Sequence, residues 1–124
     1  MADKPLLVSV VDDDDSVRES LPDLLHEFGY SVRTFSSALE FLASDAPDQT
    51  RVLLLDFAMP GMSGIELQAE LKRHDKQIPI IFVSATQDEA VRARVVELGA
   101  VACLRKPFSD TALVEALSSV MTTN

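Results

Sequence analysis

The chain has 124 residues, 47% of them apolar, which is enough for one ordinary domain with a real core and too little for two. Its formal net charge of −9, from 11 basic and 20 acidic residues, argues against a broad nucleic-acid surface, because phosphate binding needs clustered Lys and Arg that displace counterions. A single cysteine excludes an internal disulfide, and no apolar run is long enough for a membrane span. The N-terminus lacks the basic start, long apolar run and small-residue cleavage site of a secretory leader, so a cytoplasmic protein is expected.

In chain order, "LLVSVV" (6 to 11) reads as a first strand. A helix follows on the spacing of Val17, Leu21, Leu24, Leu25 and Phe28, with Gly29 as its stop. Pro22 lies inside that helix and removes a backbone donor, which predicts an irregular first helix. "SVRTF" (31 to 35) is the second strand. Ser37, three residues before Glu40, has the spacing of a reciprocal capping box and opens a helix carrying Leu39, Phe41 and Leu42. "VLLLD" (52 to 56) is the third strand, and Ser63 with Glu66 repeats the box before a helix on Ile65, Leu67 and Leu71. "IPIIFVS" (78 to 84) is the fourth strand, followed by a helix on Val91, Val95 and Leu98 that stops at Gly99. "ACLR" (102 to 105) is the fifth strand, and Leu113, Leu117 and Met121 mark the last helix.

Alternation of strand and helix, with strands apolar on both faces, implies an α/β doubly wound fold, a five-stranded parallel sheet between helices. In that architecture ligands bind beyond the carboxyl ends of the strands, where strand order reverses. The polar residues collect there: Asp12 and Asp13 at the end of strand one, Asp56 at the end of strand three, Ser84 at the end of strand four, and Lys106 after strand five. Carboxylates at a partly buried edge repel one another unless a cation lies between them. A hard, oxygen-only set suits Mg²⁺, with Mn²⁺ able to take its place. Asp14 and Asp15 read instead as a helix N-cap and first turn, where acidic groups are favoured.

With these residues in view, the sequence resembles the response-regulator receiver domains of two-component signalling. The matching stretches are "VVDD" (10 to 13), "LLLDFAMPGMSG" (53 to 64), "IIFVSA" (80 to 85) and "KPF" (106 to 108), in the family's order and spacing. The likeness covers essentially the whole chain, so residues 1–124 are expected to form a single receiver domain. "VDDDDSVRESL" and "GYSVRTFSSALEFL" are similar to the FixJ-like subgroup, whose members often carry a helix-turn-helix output domain after the receiver; these 124 residues hold no such second domain. The resemblance implies a flavodoxin-like sheet of order 2-1-3-4-5 with five helices.

It also implies roles. Asp56 would be the phosphoacceptor, attacking the phosphorus of a phosphohistidine on a sensor histidine kinase or phosphotransfer protein, or of a small acyl phosphate. Mg²⁺ would be held by Asp13 and Asp56 directly, by Asp12 partly through water, and by the backbone carbonyl of Ala58. Lys106 would pair with a phosphoryl oxygen and Ser84 would donate a hydrogen bond to it. Such a domain is not a conventional enzyme, though it assists its own phosphorylation and dephosphorylation. The Lys106-Pro107 bond is expected to be cis. Pro60-Gly61 fits a type II turn, Gly64 lets the chain enter the next helix closely, and Met59 and Met62 read as packing residues. Ala58 and Thr86 occupy positions that in the family tune access of the hydrolytic water, and the loop from Ser84 to Asp88 would reposition on phosphorylation.

One position departs from the family. Three residues before the lysine, where Tyr or Phe is usual, this chain has Cys103, which lacks the volume and the rotamer states of an aromatic switch. Partners implied by the resemblance are a kinase or phosphotransfer protein at Ser16, Val17 and Ser20. A second copy would use the face of the fourth helix, fifth strand and fifth helix; neither nucleic acid nor membrane is expected to bind directly. His26 and His74 have no carboxylate or Cys partner at ligand spacing and read as ordinary surface groups. Two rival readings are a pseudo-receiver that acts by binding alone, and a haloacid-dehalogenase-type phosphohydrolase using Asp12 and Asp14. The five intact groups weigh against the first, and the short chain against the second.

Overall fold

The computed structural model describes residues 6–85 and 89–122, with the side chains of Val91, Met121 and Thr122 excepted. The apolar runs become strands β1 (Leu7–Val11), β2 (Ser31–Phe35), β3 (Val52–Asp56), β4 (Ile80–Ser84) and β5 (Ala102–Arg105). Every pairing is parallel and the order is β2-β1-β3-β4-β5, as the resemblance implied. The helices are α1 (Asp15–Glu27), α2 (Ala38–Leu42), α3 (Gly64–Arg73), α4 (Glu89–Glu97) and α5 (Asp110–Thr122). A short 3-10 turn, Ala46–Asp48, which the sequence pattern did not foretell, precedes β3.

Because alternate strand residues point to opposite faces, each strand feeds two cores. Leu53, Leu55 and Phe82 pack with Phe41, Leu67, Leu71 and Val95, from α2, α3 and α4. Val10, Leu54 and Ile81 pack with Leu21, Leu25, Leu113 and Leu117, from α1 and α5. β3 is central, and all five of its residues are buried. The chain leaves β1 to form β2 on one side and returns to form β3 on the other, so the strand order reverses between β1 and β3.

Local sequence explains most boundaries. Ser63 and Glu66 make the complete reciprocal cap of α3: Glu66 N–H donates to Ser63 Oγ at 3.2 Å and Ser63 N–H to Glu66 Oε1 at 2.9 Å. At α2 only half the box forms. Ser37 Oγ accepts from Glu40 N–H at 3.1 Å, but the Glu40 carboxylate turns to Ser36, taking its N–H and hydroxyl. Strand β4 starts at Ile80, later than the run from Ile78 suggested.

Helix α1 corrects an expectation, since it runs unbroken through Pro22. Leu21 and Leu25 flank the proline and are both buried, so packing on either side offsets the missing donor. Phe28 and Leu39, whose spacing pointed to the core, are instead 53% and 62% exposed. Phe28 is already past the last turn of α1, where the helical stripe no longer applies. Leu39 sits on a five-residue helix whose buried positions are Ala38 and Phe41.

Helix α4 is tied to its neighbours through polar groups. Gln68 Nε2 and Lys72 Nζ, one turn apart on α3, both donate to the Leu98 carbonyl just past the C-terminus of α4, at 3.0 and 2.8 Å. Arg92 Nη2 reaches the Cys103 carbonyl at 3.3 Å. Among the described residues, no helix is long and apolar enough to cross a membrane.

Two glycines after β3 are required for different reasons. Gly61 has φ 76° with open space around it, so the constraint is torsional, as expected for the turn. Gly64 is a matter of room: an added Cβ would lie 2.5 Å from the Asp56 carbonyl oxygen and 2.8 Å from the Phe82 ring. Gly64→Ala would gain about 1 kcal/mol of helix propensity. Overpacking against backbone costs roughly 1–3 kcal/mol. The variant is therefore expected to melt below wild type in a thermal denaturation; an equal or higher melting temperature would contradict the close approach.

Candidate functional site

The reversal of strand order places the carboxyl ends of β1 and β3 side by side. Asp12 and Asp13 follow the last residue of β1, Asp56 is the last of β3, Ser84 the last of β4, and Lys106 follows β5. Asp12, Asp56 and Ser84 are buried and Asp13 is exposed. One carboxylate oxygen from each of Asp12, Asp13 and Asp56 lies within 4.8 Å of the others. Lys106 Nζ sits against this trio, 2.9 Å from Asp12 Oδ2, 3.2 Å from Asp12 Oδ1 and 3.7 Å from Asp56 Oδ2. Its own backbone N–H donates to the Ser84 carbonyl at 2.7 Å, which joins the lysine to the end of β4. The Lys106-Pro107 bond is cis.

The structure thus brings together every side chain nominated from the sequence: Asp12, Asp13, Asp56, Ser84 and Lys106. An open cleft of about 580 Å³ is lined by Asp13, Asp14, Asp56, Phe57, Ala58, Ser84, Ala85 and Lys106. Thr86 and the far part of the Ser84 to Asp88 loop lie outside the described residues.

Electrostatics follow from this crowding. Burial raises the Asp56 carboxyl to about 7, reinforced by the Asp12 charge and by hydrogen bonding with Asp13, against the opposing pull of Lys106. Burial works to lower Lys106, but the hydrogen bond to Asp12 and the charges of Asp56, Asp12 and Asp14 outweigh it, and its ammonium is held above the ordinary range. One ammonium for three carboxylates leaves net negative charge on the rim. A hard divalent cation fits that donor set, which is all oxygen and anionic.

Asp14 has the other role expected of it. Its Oδ1 accepts from Ser16 N–H at 2.9 Å and Ser16 Oγ at 2.7 Å, which caps α1, and these bonds hold its carboxyl below the ordinary value. This counts against the phosphohydrolase reading. Its nucleophile would be Asp12, whose Oδ1 already accepts from Asp14 N–H at 2.9 Å and whose two oxygens both face Lys106.

Arg18 is the residue near this rim that sequence reasoning passed over. Its Nη1 donates to the Asp12 backbone carbonyl at 2.7 Å and its Nη2 to the Asp15 carboxylate. The signal was the Asp15–Arg18 spacing of three on a helix, which on its own reads as a weak surface pair. Cys103 is buried in the core under α4, and burial pushes its thiol up against a smaller opposite effect of Arg92. His26 and His74 are exposed and neither lines the cleft; against the expectation of no carboxylate partner, His74 pairs with Glu70 one helical turn earlier, at 3.1 Å. Met59 and Met62 pack in or against the core, as expected. Beside the cleft, Ser16, Val17, Ser20, Lys106 and Phe108 line a groove of about 380 Å³ between α1 and the segment after β5.

Comparison with known proteins agrees with this geometry. The family model for the response regulator receiver domain matches residues 8–118. Nodulation protein W of Bradyrhizobium diazoefficiens is 44% identical over 111 residues, covering 90% of this chain and 49% of that protein. Transcriptional regulatory protein FixJ of Rhizobium meliloti is 40% identical over 111 residues, covering 89% of this chain and 54% of that protein. The chain therefore spans about half the length of the curated relatives it matches. The crystal structure of FixJ-N superimposes with a TM-score of 0.83 at 37% identity, covering 100% of this chain and 98% of the other. Sheet order, rim chemistry and these likenesses converge: the chain belongs to the response regulator receiver domain family of two-component signalling, whose general role is to accept a phosphoryl group.

Proposed function

We propose that Asp56 is the phosphoacceptor of this domain. The observation that carries the reading is the trio of carboxylate oxygens within 4.8 Å, with Lys106 against two of the three residues, at the open end of the sheet. One Asp56 oxygen would form a bond to the phosphorus of a kinase or phosphotransfer phosphohistidine. The phosphorus–nitrogen bond breaks, and the electron pair returns to the imidazole. Mg²⁺, or Mn²⁺ in its place, would be held by Asp13 and Asp56 directly, by Asp12 partly through water and by the Ala58 carbonyl, and when bound would neutralise charge on the transferring phosphoryl oxygens. Lys106 would pair with one of those oxygens, and the Ser84 hydroxyl would donate to another. Ala85 is small, which leaves space in the cleft for the group.

Residues 1–124 are read as a single receiver domain, with all five strands in one sheet. The groove at Ser16, Val17 and Ser20 opens onto the same rim, which supports it as the docking face for a histidine kinase or phosphotransfer protein. The face of α4, β5 and α5 is read as the output surface and the contact for a second copy. Transcription regulation, in the cytoplasm, is the proposed setting, by the name of the FixJ relative.

Intact mass after incubation with acetyl phosphate and Mg²⁺ is expected to show a labile gain of one phosphoryl group, absent in Asp56→Asn and in chelator. Failure of that gain together with failure to bind beryllofluoride would leave a receiver that signals by binding alone.

A pH dependence follows from the raised Asp56 carboxyl. A carboxyl with a higher folded than unfolded pKa binds its proton more tightly in the native state. Its stabilising contribution is full below the ordinary 3.8 and is lost as pH rises through about 7. In chelator, wild type is expected to lose thermal stability relative to Asp56→Asn between about pH 5 and about pH 8. Mg²⁺ should restore stability at the upper end by mass action. Parallel melting curves for the two proteins across that range would contradict the repulsion.

A further inference from the structure

We propose that Arg18 is a positioning residue for the carboxylate of Asp13, acting through the peptide that joins Asp12 to Asp13. The inference rests on the reading of the acidic rim as a divalent-cation seat and adds to it a residue outside the ligand set.

The three carboxylates are not held in the same way. Asp12 and Asp56 are buried, and Lys106 lies against both. Asp13 is exposed; its carboxyl shares a hydrogen bond with Asp56, and beyond that its direction depends on the backbone that presents it. That backbone is pinned from two sides. Asp12 N–H donates to the Phe35 carbonyl at 3.1 Å, which extends the β1–β2 pairing by one residue. The Asp12 carbonyl, past the end of the sheet, accepts from Arg18 Nη1 at 2.7 Å.

The Asp12 carbonyl and the Asp13 N–H belong to one planar peptide unit. Fixing the direction of one therefore fixes the other and sets the plane from which the Asp13 side chain departs. Arg18 is well suited to this because its planar guanidinium presents several N–H groups in a rigid fork. One N–H takes the Asp12 carbonyl while another takes the Asp15 carboxylate on the first turn of α1. The guanidinium thereby braces the end of β1 against the start of α1. Arg18 itself is 21% exposed at the side chain, against 83% for Asp15, so the brace points inward to the loop. A lysine would supply the charge without the fork.

The test is a Mg²⁺ titration of isotope-labelled protein followed by amide NMR, with melting temperature measured in chelator, for wild type, Arg18→Ala, Arg18→Lys and Asp15→Ala. Both Arg18 variants are expected to bind Mg²⁺ roughly 10-fold more weakly, the usual size of a lost outer-shell contact. Their metal-free Asp13 amide resonance should move as well. Asp15→Ala keeps the bond to Asp12 and should change affinity by no more than about two-fold, as for an exposed ion pair. Wild-type affinity in both Arg18 variants would overturn the proposal. So would full recovery by Arg18→Lys, which would reduce the role of Arg18 to its charge. Absence of Mg²⁺ binding by wild type would instead overturn the cation seat, and the positioning role with it. Should Arg18→Ala fail to fold, the Arg18→Lys titration decides alone: weakened binding supports the brace, and wild-type binding overturns it.

Discussion

Three carboxylates held within 4.8 Å of one another at the mouth of an apolar sheet repel strongly, and the rest of the domain is arranged around that repulsion. In water such a cluster would spread apart. Here β1 and β3 are adjacent, paired along their length and buried on both faces, so Asp12 and Asp56 cannot separate without breaking the sheet. Lys106 relieves part of the repulsion from the end of β5, tied to Ser84 through its own backbone. What remains is a concentrated negative potential in a partly desolvated cleft, where electrostatic interactions are stronger than in bulk water. Such a rim suits a small hard cation, and a proton on the raised Asp56 carboxyl would compete with one.

The loop after Asp56 is shaped by the same need for proximity. A turn at Gly61 and the close approach of Gly64 to the Asp56 carbonyl bring the capped start of α3 against the end of β3. Gly64 N–H donates to the Phe57 carbonyl at 3.1 Å, so the loop closes on itself directly beside the acidic residue. Ala58, whose carbonyl is proposed as a ligand, is carried by this short closed segment rather than by a free loop.

The strands and the rim residues were legible because each depends on local composition or on a rule of topology, whereas the strand order came from the family resemblance. The runs around Val10, Leu54 and Ile81 are apolar on both faces, which only a covered parallel sheet explains, and sheet topology puts their ends together. The failures are equally physical. Pro22 carries a local cost, but Leu21 and Leu25 are anchored in a core that is invisible in the helix's own sequence. Glu40 had two serines within reach, and spacing alone does not say that Ser36 wins both of its oxygens. Arg18 was missed because its important acceptor is a backbone carbonyl, and a backbone carbonyl has no letter in the sequence. Cys103 was legible as a departure, and its burial beneath α4 agrees with a small core residue where family members place a ring.

The two α3 side chains that share the Leu98 carbonyl bear on how helix α4 can move. Gln68 and Lys72 grip it just beyond its last turn, at 3.0 and 2.8 Å, whereas the Arg92 tie nearer its start is longer at 3.3 Å. A rod clamped at one end pivots there, and its displacement grows with distance from the clamp. The opposite end of this rod is the one that follows Ser84. A displacement at the Ser84 end of the cleft would thus act on the long arm, where the least force turns the helix.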